Sequence, residues 1–405
     1  AFSDSFLLMA LFRGFQGLFG GAMIPIMMAN IYIIFKPKEI PLILSIAATI
    51  GVSSIALGPI LGGMLTEYIN WRWMFLYNVP VGIIIFILGY LFIDLNKKDK
   101  ILLSNIDFKG IILLATSLIS LLIFLEEGEK KDWFFSNFIF ICFAIFILCI
   151  ILFIKRETSF NNPVIDIKIF SEKKFFIGSM ICGIFAINIY PPIFLIPVLI
   201  TKMHHIDPID IGLIVSSMGL GMMITGPLAG KLLKVYGENL IILLGSIITG
   251  VGTYMQSYIT ADYLLLDFFP SQFLKGIGTQ LLFIGSQYIC FSSLDTNRVP
   301  NASAMYNLIM RLTAAISIAI SSNYLIKFKK QIFSSITDYN NNKTIIQSVI
   351  ENDKIQNNFL DNLMLLYERE SFIMAFNKIS YISSWTSIIP LLLLFFLKNK
   401  ISYNK

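Results

Sequence analysis

Residues 58–82 read GPILGGMLTEYINWRWMFLYNVPVG and join two long apolar runs of this 405-residue chain. Small residues recur at every fourth position in Ser54, Gly58 and Gly62, and this spacing lets helix backbones approach closely in lipid. Pro59 removes a backbone donor from the first helix and bends its axis. The stretch therefore predicts two membrane helices, the first of which bends and packs tightly against a neighbour.

Composition places the whole chain in a membrane. Apolar residue types make up 56% and charged residues 14% of the sequence, and the mean hydropathy is +0.76. A soluble domain would carry about a quarter charged residues. Apolar stretches of about 20 residues, enough to cross the hydrocarbon core, recur along the chain. The alternating segments of a membrane β-barrel are not seen in the sequence. We therefore predict an all-α polytopic membrane protein.

Eleven membrane spans are predicted, and their flanking charges predict an orientation. Lys and Arg concentrate in the loops after the odd-numbered spans and in the C-terminal tail. Because such loops stay in the cytoplasm, we expect a cytoplasmic C-terminus and a first span that starts outside. No signal peptide precedes that span, so an odd number of further spans is expected in front of Ala1. The spans cover residues 6–35, 41–65, 73–93, 108–125, 134–154, 174–200, 209–229, 239–260, 263–291, 302–326 and 376–397.

One polar segment interrupts this series. Residues 327–375 are long, polar and rich in Asn and Lys, and the orientation places them outside the membrane. An ordered hairpin, a partner contact and a drifting loop are all compatible with the pattern. The drifting loop is the favoured interpretation.

Several function classes are disfavoured. The net charge of +6 comes from loops that flank the membrane, so it does not indicate a nucleic-acid partner. The four cysteines lie in apolar runs and show no disulfide framework. His204 and His205 are adjacent in a loop, where a solvated pair is favoured over a metal site. The sequence contains neither a Gly-rich phosphate loop nor a Cys/His cluster. We expect no enzyme activity, no metal and no cofactor.

The first motif lies in the opening span. The run RGFQG supplies Arg13, Gln16 and Gly17. It resembles the Arg-x-x-Gln-Gly motif in the fourth helix of the major facilitator superfamily. The resemblance is to the fourteen-helix drug:proton antiporter branch, the EmrB/QacA type.

The second motif is the GPILGG run quoted above. Through Gly58, Pro59, Gly62 and Gly63 it resembles the antiporter motif of the fifth helix in that branch. The WRWMF and NVPVG runs that follow resemble the start of the sixth helix. A third run, GPLAGK from Gly226, is similar to the degenerate second copy of the cytoplasmic loop motif.

The resemblance implies a major facilitator fold with about eleven helices present of an expected fourteen, which correspond to family helices four to fourteen. Residues 1–93 then belong to an N-terminal bundle, 94–155 form two additional central helices, and 156–405 form a six-helix C-terminal bundle. The first copy of the loop motif and the membrane aspartate typical of the first family helix are missing from the sequence.

The resemblance also implies a function. It predicts proton-coupled multidrug efflux, and hence drug resistance, in which amphipathic or cationic small molecules are exported by alternating access. The expected partners are the substrate, protons and the lipid bilayer of a bacterial cytoplasmic (inner) membrane. A periplasmic adaptor protein is left open. A dedicated metabolite or siderophore exporter and a non-transporting truncated remnant are the alternatives.

Three charged residues are candidates for proton coupling. Arg13 lies within the first span, where a charge is costly and often marks an ion or substrate path; a structural cation is the alternative. Arg311 shares a helix face with Asn307 and either lines the central cavity or snorkels to water. Asp267 is the candidate carboxylate, and it is otherwise an interfacial, permanently ionised group.

Polar and flexible side chains near these motifs are candidates for the substrate cavity. Flexible thioethers suit surfaces that bind varied ligands, although helix packing and lipid contact are the favoured interpretation for any single methionine. The candidates are Met27, Asn30, Asn188, Tyr190, Gln287 and Asn307.

Overall fold

A computed structural model describes residues 2–3, 5–21, 23–36, 38–92, 107–159, 167–203, 207–295, 298–341 and 353–397. Within these ranges the chain forms helices and no strand. The predicted histidine pair and the C-terminal tail lie outside the described residues. In chain order the helices are α1 (Phe6–Gly21), α2 (Met23–Ile34), α3 (Ile40–Tyr68), α4 (Trp73–Leu76), α5 (Asn78–Phe92), α6 (Phe108–Glu127), α7 (Asn137–Ser159), α8 (Lys173–Met203), α9 (Pro208–Met255), α10 (Leu265–Ser292), α11 (Val299–Asn341), α12 (Asp353–Thr386) and α13 (Ile389–Leu397).

The all-α polytopic fold predicted from composition is confirmed. Nine stretches of the described chain are long and apolar enough to cross a membrane. One of them, Pro208–Tyr258, contains two predicted spans, because Gly237 interrupts α9 with φ 77° and ψ 175°. Glycine adopts this backbone conformation readily and other residues do not. The predicted span 263–291 coincides with α10, which is not among the nine stretches.

The favoured drifting loop at residues 327–375 is wrong for the described part of that segment. α11 continues as one helix to Asn341, and α12 begins at Asp353. Leu325 of α11 shares a buried apolar cluster with Phe372 and Phe376 of α12. Apolar side chains at helical spacing let the two helices pair beyond the predicted spans, whereas the polar average composition had suggested a loop.

Burial is distributed unevenly over the described helices. The most extensive helix contact joins α9 and α10, and α8 packs on both α10 and α11. α3 packs along α9, and α2 packs on α11. In contrast, no described residue of α1 or α5 is buried. The core therefore lies among α8 to α12, with α2 and α3 attached to it.

Glycine permits the close approach of α3 and α9. A Cβ atom on Gly63 of α3 would lie 2.6 Å from the carbonyl oxygen of Pro208. A Cβ atom on Gly212 of α9 would lie 2.5 Å from the carbonyl oxygen of Pro59. Real side chains do not fit at these distances, so the two backbones meet because both positions lack one.

The face of α3 that makes this contact differs from the predicted one. A Cβ atom on Gly58 would have no described atom within 4 Å, and one on Gly62 would lie 3.6 Å from the sulfur of Met74. Ser54 donates a hydrogen bond to the Gly51 carbonyl of its own helix. The close approach predicted for α3 is present, but Gly63 makes it. The small residues predicted for this contact, Ser54, Gly58 and Gly62, do not make it.

The helices α6 and α7 form a hairpin that is closed at its base. The side chain of Asp107 accepts a hydrogen bond from the Gly110 amide at 2.9 Å and so caps α6. Arg156 of α7 donates from Nε to both oxygens of the same carboxylate, at 2.7 and 2.8 Å. Asn323 of α11 donates to the Leu125 carbonyl at 3.2 Å, which attaches the hairpin to the core.

Candidate functional site

A cavity in the described part of the chain has a volume of about 920 Å³. It lies between α2 and α3 on one side and α8, α9, α10 and α11 on the other. A volume of this size accommodates a drug-sized molecule. Its lining consists of Ile24, Met27, Met28, Ile31, Ile43, Ile46, Ala47, Ala48, Ile50, Gly51, Ser54, Ile55, Gly58, Pro59, Phe185, Ile189, Tyr190, Ile193, Val215, Met222, Phe283, Met310 and Arg311.

The lining of this central cavity is apolar and adaptable. Four methionines contribute flexible, polarisable side chains that can follow ligands of different shape. Phe185 and Phe283 stack with ring centroids 4.8 Å apart. Tyr190 and Ser54 supply hydroxyl groups, and Arg311 is the one charged residue in the described lining. The cavity can therefore bind an apolar body and place one polar or anionic group near Arg311.

Half of the antiporter motif lines the cavity directly. Gly58 and Pro59 contribute to the lining, whereas Gly62 and Gly63 do not. Gly63 instead makes the close contact with α9 described above. The motif therefore contributes both to the cavity wall and to the interface along which α3 contacts the core.

The structure places two of the six predicted cavity candidates in the lining, Met27 and Tyr190. Asn30 is exposed and does not contribute. Asn307, one turn before Arg311, donates to the Ser303 carbonyl of its own helix at 2.9 Å. Gln287 is buried with 2% of its surface exposed, away from the described lining.

Asn188, the remaining candidate, joins two helices. Its amide nitrogen donates to the Ile184 carbonyl at 3.0 Å and to Thr386 Oγ1 at 3.1 Å. It lines a separate small pocket with Lys275, which is fully buried. Asn188 is therefore placed beside a buried amine and outside the central cavity.

The first motif forms a site of its own. Arg13 donates from Nη1 to Gln16 Oε1 at 2.9 Å, and its guanidinium lies 5.6 Å from the ring centroid of Phe75. Together with Trp71 and Asn78 these residues line a cavity of about 270 Å³. The structure thus brings the RGFQG and WRWMF runs together at one cavity. Arg13 and Arg311 line different cavities.

Asp267 lies at the exposed start of α10. Its Oδ2 accepts a hydrogen bond from the Leu264 amide at 2.8 Å. A carboxylate at this position satisfies one of the free amides at a helix N-terminus and interacts favourably with the helix dipole. None of the described cavities includes Asp267. The three predicted proton-coupling residues are therefore in three separate places.

Comparison with known proteins identifies the family. A sequence profile described as Major Facilitator Superfamily matches residues 1–191 and 175–328 of the chain. The chain belongs to the major facilitator superfamily. This family consists of transporters, so the protein is a multi-pass bacterial membrane protein with the helical fold described above.

Relatives within the superfamily have drug-related names. The chain is 28% identical over 317 residues to the colistin resistance protein EmrB of Acinetobacter baumannii, covering 78% of this chain and 61% of the relative. It is 26% identical over 322 residues to the multidrug export protein EmrB of Haemophilus influenzae, with coverages of 79% and 63%. It is 25% identical over 356 residues to the multidrug export protein EmrB of Escherichia coli K12, and the match covers 86% of this chain and 69% of the relative. The chain thus spans about three fifths of the length of the first two relatives. These matches confirm the resemblance to the EmrB type of this superfamily.

The predicted site residues did not include the buried polar group around Lys275, although Lys275-Gly276 stands where an Arg-Gly pair is common in the branch that the chain resembles. Gln256 and Gln272 join this lysine in a chain of hydrogen bonds. The available signal was a single lysine inside an apolar span, beside Gly276 and Gly278, which leave room for close helix contact. The sequence alone did not reveal that Gln256, which lies outside the predicted span 263–291, forms a hydrogen bond with Lys275.

Proposed function

We propose that the protein is a proton-coupled efflux transporter that exports amphipathic small molecules by alternating access. The observation that carries this proposal is the central cavity, which is large, apolar and lined on one side by the antiporter motif. The cavity lies between helices of two groups, the location expected for a substrate site in a transporter built from two bundles.

The domain division supports the same mechanism. We assign residues 1–93 to an N-terminal bundle, 94–155 to the two additional central helices and 156–405 to the C-terminal bundle. α2 and α3 contact α9 and α11 across the boundary of the two bundles. Relative movement at this boundary would open the cavity to one side of the membrane and then to the other. We place the protein in the cytoplasmic (inner) membrane with its C-terminus inside.

The chemistry of the cavity favours one part of the predicted substrate range. A cationic drug binds best beside a carboxylate, and the described lining contains only Arg311 as a charged residue. Neutral and anionic amphipathic molecules fit this lining better. A dedicated metabolite or siderophore exporter and a non-transporting remnant are the alternatives, and a periplasmic adaptor is left open as a partner.

The test is transport by the protein produced from its complete gene and reconstituted in lipid vesicles. We expect a pH gradient to drive accumulation of anilinonaphthalene sulfonate, a permanent amphipathic anion, and of the neutral dye Nile red. Ethidium serves as the cationic probe. Movement of none of the three, with or without a gradient, would contradict the proposal and favour the remnant or an exporter with a dedicated substrate.

A pair of methionines on α2 provides a matched test of the cavity. Met27 lines the cavity, whereas Met23 does not and is 62% exposed. We expect Met27→Trp to fill part of the cavity and to reduce transport of both dyes by about tenfold. Met23→Trp adds the same volume outside the cavity and should leave transport unchanged. Equal effects of the two substitutions would exclude this cavity as the substrate site.

Arg13, Arg311 and Asp267 remain our proposed proton-coupling residues, and substitution separates their roles. Arg13→Ala should abolish gradient-driven transport if Arg13 biases a nearby carboxyl group. Asp267→Asn should do so only if this carboxylate carries the proton. Because Asp267 caps α10 at the surface, unchanged transport in Asp267→Asn would leave it with the capping role alone.

A further inference from the structure

Lys275 lies at a closely packed contact between α9 and α10. It is in the interior of α10, and none of its surface is exposed. A Cβ atom on Gly252 of α9 would lie 2.6 Å from the Lys275 backbone nitrogen. The amine is therefore enclosed between α9 and α10, with no access to water in this conformation.

The amine has neutral neighbours. Lys275 Nζ donates to Gln256 Oε1 at 3.2 Å, and Gln256 Nε2 donates to Gln272 Oε1 at 2.9 Å. A charged ammonium group has three donors, while this chain of amides offers it one acceptor. Burial of a charge with so few partners costs several kcal/mol (about 3 or more at membrane depth).

The pocket around the amine contains no other titratable group in the described part of the chain. α8 contributes Asn188 and two prolines, α9 contributes Thr253, and α12 contributes apolar and hydroxyl side chains. The nearest carboxylate along α10, Asp267, caps the exposed start of that helix. The side chains from α12 are Phe376, Ile379, Ser380 and Ser383.

The pocket has room and partners for about one water molecule. Its volume is about 10 Å³, close to the lower limit for a single bound water. Asn188 and Ser383 lie on the walls opposite the lysine, and Thr253 Oγ1 has no hydrogen-bond partner within the described chain. A small separation of α8 or α12 from α10 would therefore admit water directly to Nζ.

We propose that Lys275 is a proton-binding site of the C-terminal bundle, which gains and loses one proton in each transport cycle. When the pocket opens to water on one side of the membrane, the lone pair of Nζ takes a proton from a hydronium ion, which leaves water, and forms the ammonium group. When the pocket next opens toward the opposite side, the ammonium group gives this proton to water there and Nζ is neutral again, so one proton crosses the membrane in each cycle. The site is separate from Arg311 and the central cavity.

This inference rests on the proposed transport function, and the experiment distinguishes the two. Reconstituted protein is assayed in two modes with anilinonaphthalene sulfonate, whose charge does not change with pH. In exchange mode, internal and external pH are equal and labelled dye exchanges for unlabelled dye. In gradient mode, a pH difference drives accumulation.

We expect Lys275→Met to retain exchange within about twofold of the wild type and to lose gradient-driven accumulation by about tenfold or more. Lys275→Arg should show the same loss, because a guanidinium group keeps its proton. Lys109→Met removes an exposed lysine at the start of α6 and should leave both modes unchanged. Failure of exchange in the wild type would instead contradict the transport function itself.

A second measurement does not depend on accumulation. Dye is added to purified protein in a weakly buffered detergent solution with a pH indicator, and proton uptake or release is recorded. We expect the wild type to exchange protons with the solution on binding dye, and Lys275→Met to bind dye without this exchange. Gradient-driven accumulation and proton exchange at wild-type levels in a folded Lys275→Met protein would overturn the proposal. A Lys275→Met protein with a lowered unfolding temperature and neither mode of transport would also overturn it, in favour of a structural lysine.

Discussion

Two cations lie within the helical core, and their surroundings differ in almost every respect. Arg311 is exposed in a cavity of about 920 Å³ that is otherwise apolar. Lys275 is fully buried beside a pocket of about 10 Å³ and is hydrogen-bonded to an amide. Neither has a carboxylate in its described lining.

The difference suggests separate tasks for the two charges. A guanidinium group keeps its charge under physiological conditions, so Arg311 offers a constant attraction to an anionic group of a ligand that enters the cavity. An amine can be neutral or charged. When it is enclosed, its protonation state depends on whether the surrounding helices admit water. One position therefore suits recognition of a ligand, and the other suits a change of charge.

The largest effect is expected at the close contact of α9 and α10 beside Lys275. Gly252→Leu places a side chain against the backbone of Lys275 and should separate α9 from α10. We expect a loss of about 3 kcal/mol of stability and a clear drop in the unfolding temperature in detergent. Gly82→Leu on α5 adds the same side chain where no atom lies within 4 Å and should change little. Similar unfolding temperatures for the two variants would show that the Lys275 pocket is not tightly enclosed.

A smaller effect, on affinity, is expected at Arg311. Arg311→Gln should weaken binding of anilinonaphthalene sulfonate by about tenfold, equivalent to ~1.4 kcal/mol. Binding of neutral Nile red should be unchanged, and Arg311→Lys should retain most of the anion affinity. Fluorescence titration of purified protein measures both dyes. Equal weakening for both dyes would assign Arg311 a role in cavity shape instead of charge.

Substitution of Asn188 tests whether this side chain of α8 keeps the pocket around Lys275 closed. Asn188→Leu removes the hydrogen bond to Thr386 at the end of α12 and should cost about 1 kcal/mol. We also expect Lys275 to become more accessible to an amine-modifying reagent, measured by mass spectrometry of the digested protein. Asn307→Leu, which removes a bond within α11 only, is the control. Unchanged labelling in Asn188→Leu would show that other contacts close the pocket.

The smallest effect is expected on stability in acid, at Asp107, which lies outside the membrane spans. It distinguishes the loss of stability in acid from proton coupling during transport. Burial raises the pKa of Asp107, but hydrogen bonds from the Gly110 amide and from Arg156 outweigh it and hold the pKa below its usual value. The folded state therefore gains stability from this carboxylate above the pKa of the unfolded chain. That gain is lost as the pH falls through the lower pKa of the folded state.

The prediction is read from unfolding temperatures over a range of acidic pH. The wild type should lose stability on acidification below about pH 4, the usual range of an aspartate. Asp107→Asn should start from a lower stability at neutral pH and show a weaker decline. Glu67→Gln, which changes an exposed carboxylate on α3, provides the control. A parallel decline in Asp107→Asn and the wild type would refute this assignment.

Much of the fold could be predicted from the sequence, because membrane helices are specified by the length and composition of each segment. The predicted spans fall largely on described helices, although the spans 6–35, 73–93 and 376–397 each cover two helices and α9 contains two spans. Even the separation of the two spans near residue 237 is correct, because Gly237 marks the break. The segment 327–375 was misjudged, since its average polarity conceals apolar residues such as Phe328 and Phe372 that pair across two helices.

The site was less predictable than the fold. The motifs predicted that the helix carrying Gly58 and Pro59 takes part in function. The structure places both residues in the wall of the central cavity. Sequence could not show that Gly63, and not Gly62, faces α9, because one residue along a helix turns a side chain by about 100°. It also could not show that Lys275 meets Gln256, since this contact depends on how two helices pack.

The closed hairpin of α6 and α7 has an evolutionary consequence. Asp107 and Arg156 join its two ends, and its main described attachment to the rest of the chain is through α11. A unit that completes its own contacts can be inserted into an ancestral protein, or lost from a descendant, without redesign of the surrounding core. The hairpin is therefore a place where a lineage of transporters can vary its number of helices at little cost to folding.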